Sequence, residues 1–253
     1  MGVERWLSLA CELGLGGVEL RADPRAAHPA DLSSRQRQHL REKIADCGLW
    51  CTVHAPIYGV NLASPIRSLA AASLGEVVQT VDLAAEVGSR LVIVHPGHVD
   101  EDYLALDGEW DLAWRRFLFA IEVVLARARR HGVRLAVENK QRGRGWDMVH
   151  TPEEHARVLD RFPELGACLD FGHLHTVDGD LAAYVAALGE RLVHVHLHDN
   201  HGEQDEHLAL GRGTVPWEDA LTALEERGYG GTIVLEIPEP GALRETVAAM
   251  RAR

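Results

Sequence analysis

The segment HVHLHDNHGEQDEH, residues 194–207, places five histidines among several carboxylates within fourteen positions. Imidazole nitrogen and carboxylate oxygen are ligands that borderline and hard divalent cations prefer. Alternate side chains of a β-strand point to the same face, so His194, His196 and His198 share one face if the strand runs through all three. Periodicity alone does not choose between them, and we favour His196 because we expect it at the end of the strand.

Similar side chains end other apolar segments that are far away in the sequence. His54 ends WCTVH, His95 ends LVIVH and Glu138 ends RLAVE. Any one of them alone is better explained as a buried side chain with hydrogen bonds. An ionised carboxylate at the end of a buried apolar strand is costly, however, unless it is paired or bound to a metal. The recurrence of this pattern in segment after segment therefore favours a metal site.

The full set of candidate ligands has nine members, which is more than one ion needs. Two or three neighbouring ions that share bridging carboxylates would use all of them. The predicted cofactor is a divalent metal, one to three ions of Zn, Mn, Mg or Co. The nine predicted ligands are His54, His95, Glu138, Asp170, His173, His196, Asp205, His207 and Glu236.

The elements that must position these residues are predicted from hydrophobic periodicity. Short β-branched segments alternate with helical patterns, and the ends of successive strands lie 26 to 43 residues apart, the size of one βα unit. In a closed barrel all strand carboxyl ends meet at one mouth, and most of these strands end in His, Asp or Glu. We therefore predict an α/β fold, a single (β/α)₈ TIM barrel domain over residues 1–253. The predicted strands are 17–20, 50–54, 91–95, 134–138, 167–170, 193–197 and 232–236.

The predicted barrel lacks its first strand. The sequence opens with an amphipathic helix over about residues 3–13, which leaves eight helices but only seven strands. Three explanations stay open: a start further upstream, a contribution to the sheet from residues 207–210, or a gap in the barrel. A gap leaves unpaired strand edges that invite pairing with a second chain, so a homo-oligomer is one expectation.

Charge and composition narrow the classes of partner. The net charge of −12 disfavours nucleic acid, because a nucleic-acid surface usually needs a basic footprint. The one local exception is the segment 139–146, which holds Lys140, Arg142 and Arg144. It is sized to bind one phosphate or carboxylate of a small molecule, and a solvated basic loop is an equally good interpretation. The expected partner is therefore a small molecule and not a nucleic acid.

The same composition bears on location. Apolar residues make up 46% of the chain, enough for a large core, yet we find no apolar run long enough to cross a membrane. Charges interrupt the first helical segment, which makes it a poor secretory signal, so we expect a cytoplasmic protein. The four cysteines, Cys11, Cys47, Cys51 and Cys168, show no CxxC spacing and are expected to be buried thiols without disulfides.

The order of the motifs VHAP, VIVHPG, AVEN, LDFGH, HVHLHDN, DEHLALGRG and IVLE resembles the xylose isomerase-like TIM barrel superfamily. This superfamily includes sugar and sugar phosphate isomerases and epimerases, and also endonuclease IV. Resemblance to the tagatose 3-epimerase-like enzymes implies one divalent ion on Glu138, Asp170, His196 and Glu236. The two glutamates would then move a proton at the carbon next to a carbonyl. The arginine that these epimerases carry shortly after the metal histidine has no counterpart in HLHDNHGEQ.

Resemblance to endonuclease IV implies instead a cluster of three zinc ions held by nine ligands, and all nine positions match the set given above. The first hypothesis is a metal-dependent isomerase or epimerase whose partner is a small sugar, sugar phosphate or polyol. Its catalytic residues would be Glu138 and Glu236. Its substrate-binding residues would be Lys140, Arg142 and His198. The alternative is an endonuclease IV-like phosphodiesterase for abasic-site DNA repair. The third is a non-catalytic metal-binding barrel subunit. For His198, Asp199 and His201, a role in orienting ligands and an ordinary loop role stay open.

Overall fold

A computed structural model of the chain describes residues 2–143 and 146–253. By its internal contacts the chain divides into two compact units, Met1–Ala136 and Val137–Arg253. The strands are β1 (Gly17–Arg21), β2 (Trp50–His54), β3 (Leu91–Val94), β4 (His98–Val99), β5 (Arg134–Glu138), β6 (Trp146–Asp147), β7 (Gly166–Asp170), β8 (Leu192–Leu197) and β9 (Thr232–Leu235). The α-helices are α1 (Val3–Glu12), α2 (Ser34–Asp46), α3 (Arg67–Val87), α4 (Glu101–Leu104), α5 (Glu109–His131), α6 (Pro152–Arg161), α7 (Phe171–Thr176), α8 (Leu181–Leu188), α9 (Trp217–Glu226) and α10 (Pro240–Ala252), with short 3₁₀ helices at Pro29–Asp31 and Gly189–Arg191.

In the first unit, β1, β2 and β3 are parallel neighbours in that order. Parallel strands covered by helices are buried on both faces, and Val53, Val92 and Ile93 are accordingly inaccessible to solvent. Glycine is required at position 17, because a Cβ there would lie 2.0 Å from the Trp50 ring. This packing fixes β1 against the start of β2.

In the second unit the strand order is β5, β7, β8, β9. Strands β7, β8 and β9 are parallel, and every residue of β7 is buried. The register of β7 and β8 pairs Cys168 with His194 and Asp170 with His196. Chemically active side chains from neighbouring strands are thereby placed at equal heights.

The seven predicted strands agree with β1, β2, β3, β5, β7, β8 and β9 to within one residue at each end. The first element in the described residues is the helix α1, as predicted. Residues 207–210 add no strand to the sheet: Leu208 makes only an isolated antiparallel bridge with Asp199. The expectation of buried thiols is wrong for Cys11 and Cys47, which are exposed because each lies in the solvent-facing last turn of its helix or just after it. In the part of the chain that the structure describes, every helix is too short or too polar to cross a bilayer.

A buried histidine of the second unit predicts a pH-dependent stability. His155 on α6 is fully buried, with Nε2 at 3.0 Å from the carbonyl oxygen of Val137 and Nδ1 at 3.2 Å from the hydroxyl of Tyr184. Burial, the largest effect, lowers the pKa of His155 from 6.5 to about 4. The unfolded chain therefore takes up the proton first, so the contribution of His155 to stability is complete above pH 6.5 and is lost as the pH falls towards 4.

When the pH is lowered from 7 to 5, we expect the free energy of unfolding to fall by roughly 2 kcal/mol less in His155→Gln than in the wild type. Urea denaturation at the two pH values measures this difference. The other titrating groups contribute equally to the pH dependence of both proteins, so their contributions cancel when the two are compared. The control is His39→Gln on an exposed side chain, which should follow the wild-type pH dependence. Equal pH dependence of His155→Gln and the wild type would contradict this account.

Candidate metal centre

The carboxyl ends of four neighbouring strands in the second unit carry the central residues. Glu138 ends β5, Asp170 ends β7, His196 is the penultimate residue of β8, and Glu236 follows β9. Because neighbouring parallel strands end at the same edge of a sheet, their terminal side chains come together. The alternation of strand and helix in the sequence therefore accounts for this cluster.

His196 lies at the centre of the cluster. Its Nδ1 is 3.0 Å from Oε1 of Glu138, 3.4 Å from Oε1 of Glu236 and 3.8 Å from Oδ2 of Asp170. One edge of the imidazole ring thus faces carboxylates from three other strand ends. The imidazole of His196 and the carboxylates of Glu138 and Asp170 are almost fully buried.

A second group adjoins the first and is centred on Asp205. Oδ2 of Asp205 is 3.1 Å from Nε2 of His207 and 3.3 Å from Nε2 of His173, and Oδ1 is 3.3 Å from Nε2 of His198. His198 is also 3.2 Å from Oδ1 of Asp170, which links the two groups. The rings of His198 and His207 stack with centroids 4.1 Å apart. Their ligand atoms lie close enough to hold metal ions in common.

The structure brings together seven of the nine predicted ligands in the second unit. They are Glu138, Asp170, His173, His196, Asp205, His207 and Glu236. In the first unit, the other two predicted ligands lie beside each other: the rings of His54 and His95 meet edge to face with centroids 4.8 Å apart. That these two histidines complete the ligand set stays a prediction.

The donor set fits a divalent cation. Oδ2 of Asp170 and Oδ1 of Asp205 are buried and accept no hydrogen bond from the described residues. Buried polar atoms are ordinarily satisfied, so two such carboxylate oxygens in one cluster call for a ligand. Nitrogen and oxygen donors without thiolate suit zinc, manganese, magnesium or cobalt.

The cluster attracts positive charge strongly. Burial alone would raise the pKa of Asp170, but His173 and His198 outweigh it and lower that pKa to about 2. Burial alone would lower the pKa of His173 and of His207, but the neighbouring carboxylates outweigh it and raise both pKa values to about 9. A cation that binds here competes with protons on these histidines, so metal affinity should rise with pH.

Asn139, which follows Glu138, orients two of the predicted ligands, Asp170 and His173. Its side-chain amide donates to the Asp170 carbonyl at 3.0 Å, and its side-chain oxygen accepts from the Asp170 backbone N–H at 2.7 Å. Its backbone carbonyl lies 2.8 Å from Nδ1 of His173, which directs Nε2 of that ring towards Asp205. The motif AVEN contains Asn139. The contacts that make Asn139 important depend on strand pairing, which the local sequence does not reveal.

Asp199 fixes the loop that carries Asp205 and His207. Its carboxylate accepts backbone N–H groups of Gly211 and Gly213 at 2.8 and 2.9 Å and of Val215 at 2.9 Å. The loop holds His207 at a φ of 52°, a left-handed conformation that is uncommon for a residue other than glycine. Such local strain persists only where the surroundings enforce it.

Three residues after β8 lie in different environments. His198 is buried and contacts Asp170 and Asp205, so it can serve as a ligand as well as a substrate-binding residue. Asp199 supports the loop through its hydrogen bonds. His201 is exposed and bonds to Glu206, as an ordinary loop residue does.

The basic residues that follow Glu138 lie in different environments. Lys140 is buried, and its charge acts on His173. The guanidinium of Arg142 is exposed and lies 3.5 Å from a carboxylate oxygen of Asp178, an ion pair worth little in water. Arg144 lies outside the described residues. Lys140 is therefore the basic side chain best placed to act at the cluster, and the substrate-binding roles of Lys140 and Arg142 stay predictions.

Gly172 in α7 makes room for His198. A Cβ at position 172 would lie 1.9 Å from Cε1 of that ring. We expect Gly172→Ala to push His198 away from Asp170, to lower the free energy of unfolding by about 1–3 kcal/mol and to weaken divalent metal binding. Urea denaturation and calorimetric metal titration measure the two effects.

The matched control for this prediction is Gly75→Ala in the middle of α3, where an added methyl group meets nothing within 4 Å. It should leave metal binding unchanged and stabilise the helix by up to ~1 kcal/mol. Undiminished metal affinity in Gly172→Ala would show that His198 has no part in the site.

Comparison with known proteins now places the chain. The family model described as xylose isomerase-like TIM barrel matches residues 7–253. The chain belongs to this family. Membership confirms the predicted TIM barrel fold with its alternating parallel strands and helices.

Sequence relatives of the chain include uncharacterized proteins and proteins named probable endonuclease 4. An uncharacterized protein of Methanocaldococcus jannaschii, MJ1311, is 31% identical over 210 residues, which cover 81% of this chain and 70% of the relative. A probable endonuclease 4 of Mycobacterium leprae is 29% identical over 215 residues, which cover 79% of this chain and 77% of that protein. Across the first three relatives, the matched part spans 70%, 61% and 50% of the relative's own length.

Solved structures similar to this chain include an epimerase-like protein and a protein from Thermus thermophilus. A D-tagatose 3-epimerase-like protein superposes with a TM-score of 0.82 at 25% identity, covering 94% of this chain and 88% of that one. The TTHB071 protein of Thermus thermophilus, in crystals soaked with ZnCl₂, gives a TM-score of 0.77 at 29% identity, covering 100% of this chain and 95% of that one.

Proposed function

We propose that this protein is a metal-dependent isomerase or epimerase of a small sugar or sugar phosphate. The observation that carries the proposal is the position of His196, whose Nδ1 lies within 3.4 Å of both Glu138 and Glu236. Two carboxylates beside one metal-ligating imidazole are the groups needed to move a proton next to a carbonyl. Similarity to the D-tagatose 3-epimerase-like protein supports this choice.

We assign the following roles to the residues of the cluster. Glu138, Asp170, His196 and Glu236 would hold one divalent ion, with His173, Asp205 and His207 available for more. When bound, the ion polarises the substrate carbonyl and its neighbouring hydroxyl. One glutamate removes the proton from the carbon next to the carbonyl through a carboxylate oxygen, and the other returns a proton to it. The proposed ligand set also includes His54 and His95, which end or follow neighbouring strands of the first unit.

Substrate size follows from charge. The net charge of −12 is unsuited to a long polyanion, whereas buried Lys140 and His198 suit a single phosphate, carboxylate or hydroxyl group. Arg142, on the exposed part of the same segment, would contact a substituent of the substrate. These three residues are the proposed substrate-binding residues.

The test is deuterium incorporation. Protein loaded with manganese, magnesium, cobalt or zinc is incubated in D₂O with a panel of ketoses, with and without phosphate, and the products are followed by NMR. The proposal expects metal-dependent deuterium exchange at the carbon next to the carbonyl of at least one sugar, together with a new isomer. Absence of exchange across the panel with every metal would overturn it.

The second candidate is an endonuclease IV-like phosphodiesterase with a three-zinc cluster. The observation that favours it is the contact of His173 and His207 with Asp205, which enlarges the cluster beyond the needs of one ion. Relatives named probable endonuclease 4 support it as well. Near three zinc ions per chain together with nicking of duplex DNA at abasic sites would establish this activity. Tight metal binding without exchange or nicking would instead favour a non-catalytic metal-binding subunit.

A further inference from the structure

Cys168 and His194 lie one layer below the metal centre of the second unit. They are paired in the register of β7 and β8, two residues before the pair formed by Asp170 and His196. In a strand, residues two apart face the same side, so Cys168 and His194 share the face that carries Asp170 and His196. Both are inaccessible to solvent. Neither belongs to the nine predicted ligands.

Their ligand atoms converge with those of His196. The sulfur of Cys168 and one ring nitrogen each of His194 and His196 all lie within 4.8 Å of one another. The Sγ of Cys168 is 3.7 Å from Nδ1 of His196, and the rings of His194 and His196 meet edge to face at 4.9 Å. A tetrahedral zinc ion with its usual bond lengths holds sulfur and nitrogen about 3.5 Å apart. The three side chains therefore need only small adjustments to share one ion.

We propose that Cys168, His194 and His196 form a second metal site, which binds a thiophilic cation such as zinc, cadmium or copper(I). Binding replaces the thiol proton of Cys168, which passes to solvent, and forms one metal–sulfur and two metal–nitrogen bonds. Thiolate is a soft ligand, so this site prefers softer ions than the carboxylates of the layer above. The site involves no redox step and no further reactant.

Occupation of this site has a consequence for the centre above it. Nδ1 of His196 faces Cys168 at 3.7 Å and Glu138 at 3.0 Å, so one nitrogen is shared by the two sites. A thiophilic ion would draw His196 away from Glu138 and Glu236. This consequence rests on the proposed function, whereas the existence of the second site does not.

The experiment uses cadmium as the probe and removes competing thiols first. Cys11 and Cys47 are exposed and their thiols are in contact, so both are replaced by serine to give the reference protein. Excess magnesium is present, because it prefers the carboxylate oxygens of the layer above and competes only weakly for imidazole nitrogen and thiolate. Cadmium titration should produce the ultraviolet thiolate-to-cadmium band with one equivalent. X-ray absorption should then find one sulfur and at least two nitrogens around cadmium.

Variants in the same reference protein assign the ligands. Cys168→Ser should abolish the band, and His194→Gln should weaken cadmium binding at least tenfold. Cys51→Ser, on β2 of the first unit, is the matched control and should keep the band. A sulfur ligand that survives Cys168→Ser would overturn the proposal, and so would cadmium surrounded only by nitrogen and oxygen in the reference protein. X-ray absorption on the reference protein needs no change at Cys168, so misfolding of a variant cannot decide its outcome. Neither the cadmium titration nor X-ray absorption depends on turnover.

Discussion

Glu236→Gln should reduce the rate of metal-dependent proton exchange on a substrate sugar by roughly 10²–10⁴-fold, the range associated with loss of a general acid or base. Glutamine keeps the size and one oxygen of the side chain beside His196 but cannot accept the proton. The rate is measured as deuterium incorporation at saturating metal. Metal content is measured on the same sample, so that a lost ligand is distinguished from a lost base.

The control for this prediction is Glu203→Gln, on an exposed residue of the same loop that carries Asp205. It changes the net charge by the same amount and should leave the exchange rate within about twofold of wild type, because exposed charges are screened by water and salt. An exchange rate in Glu236→Gln equal to that of Glu203→Gln would remove Glu236 from the reaction.

Divalent metal should stabilise the protein strongly, and Asp170→Asn should lose most of that gain. A ligand that binds only the folded state at 100 times its Kd adds about 2.7 kcal/mol to the free energy of unfolding. Asp170 contacts His196 and His198 in the cluster, while its Oδ1 also caps α7 by accepting the His173 N–H at 2.7 Å. Asparagine can keep the cap but not the charge. Urea denaturation with metal and with chelator measures the difference.

Asp180→Asn tests the capping role separately. Asp180 caps α8 in the same way, by accepting the Ala183 N–H at 2.9 Å, but it is exposed. Its replacement should leave the metal-dependent stabilisation unchanged. If Asp170→Asn retained the full gain of about 2.7 kcal/mol as well, the carboxylate cluster would not be the place where the metal binds.

The fold was predictable because burial and periodicity act locally. Segments such as RLAVE and LVIVH carry the apolar runs of strands buried on both faces, and β5 and β3 follow them to within one residue. Residues 207–210 could not be placed from sequence, because an apolar run of four fits a strand or a loop. Its conformation is decided instead by the bridge between Leu208 and Asp199 and by the side-chain hydrogen bonds of Asp199.

The candidate site was predictable in part for the same reason. Glu138, Asp170 and His196 were identifiable because a titratable group at a strand end is unusual and recurs. The support given by Asn139, the space left by Gly172 and the proximity of Cys168 to His196 depend on which strands pair and in what register. Periodicity carries no information about the register between distant segments, so these contacts could not be predicted from the sequence.

The hydrogen bonds of Asp199 have an implication for how such a protein diversifies. The chain leaves β8 at His198, and the loop is closed by backbone hydrogen bonds between Asp199 and Leu208. The Asp199 carboxylate also accepts the backbone N–H groups of Gly211 and Gly213, which follow the loop. Between them, residues 203 and 204 are exposed. Insertions or randomised codons at this tip, residues 203 and 204, should be tolerated while the hydrogen bonds at the two ends of the loop keep their geometry. This tip is therefore a natural place for evolution, or for a directed library, to change which molecules reach the cluster.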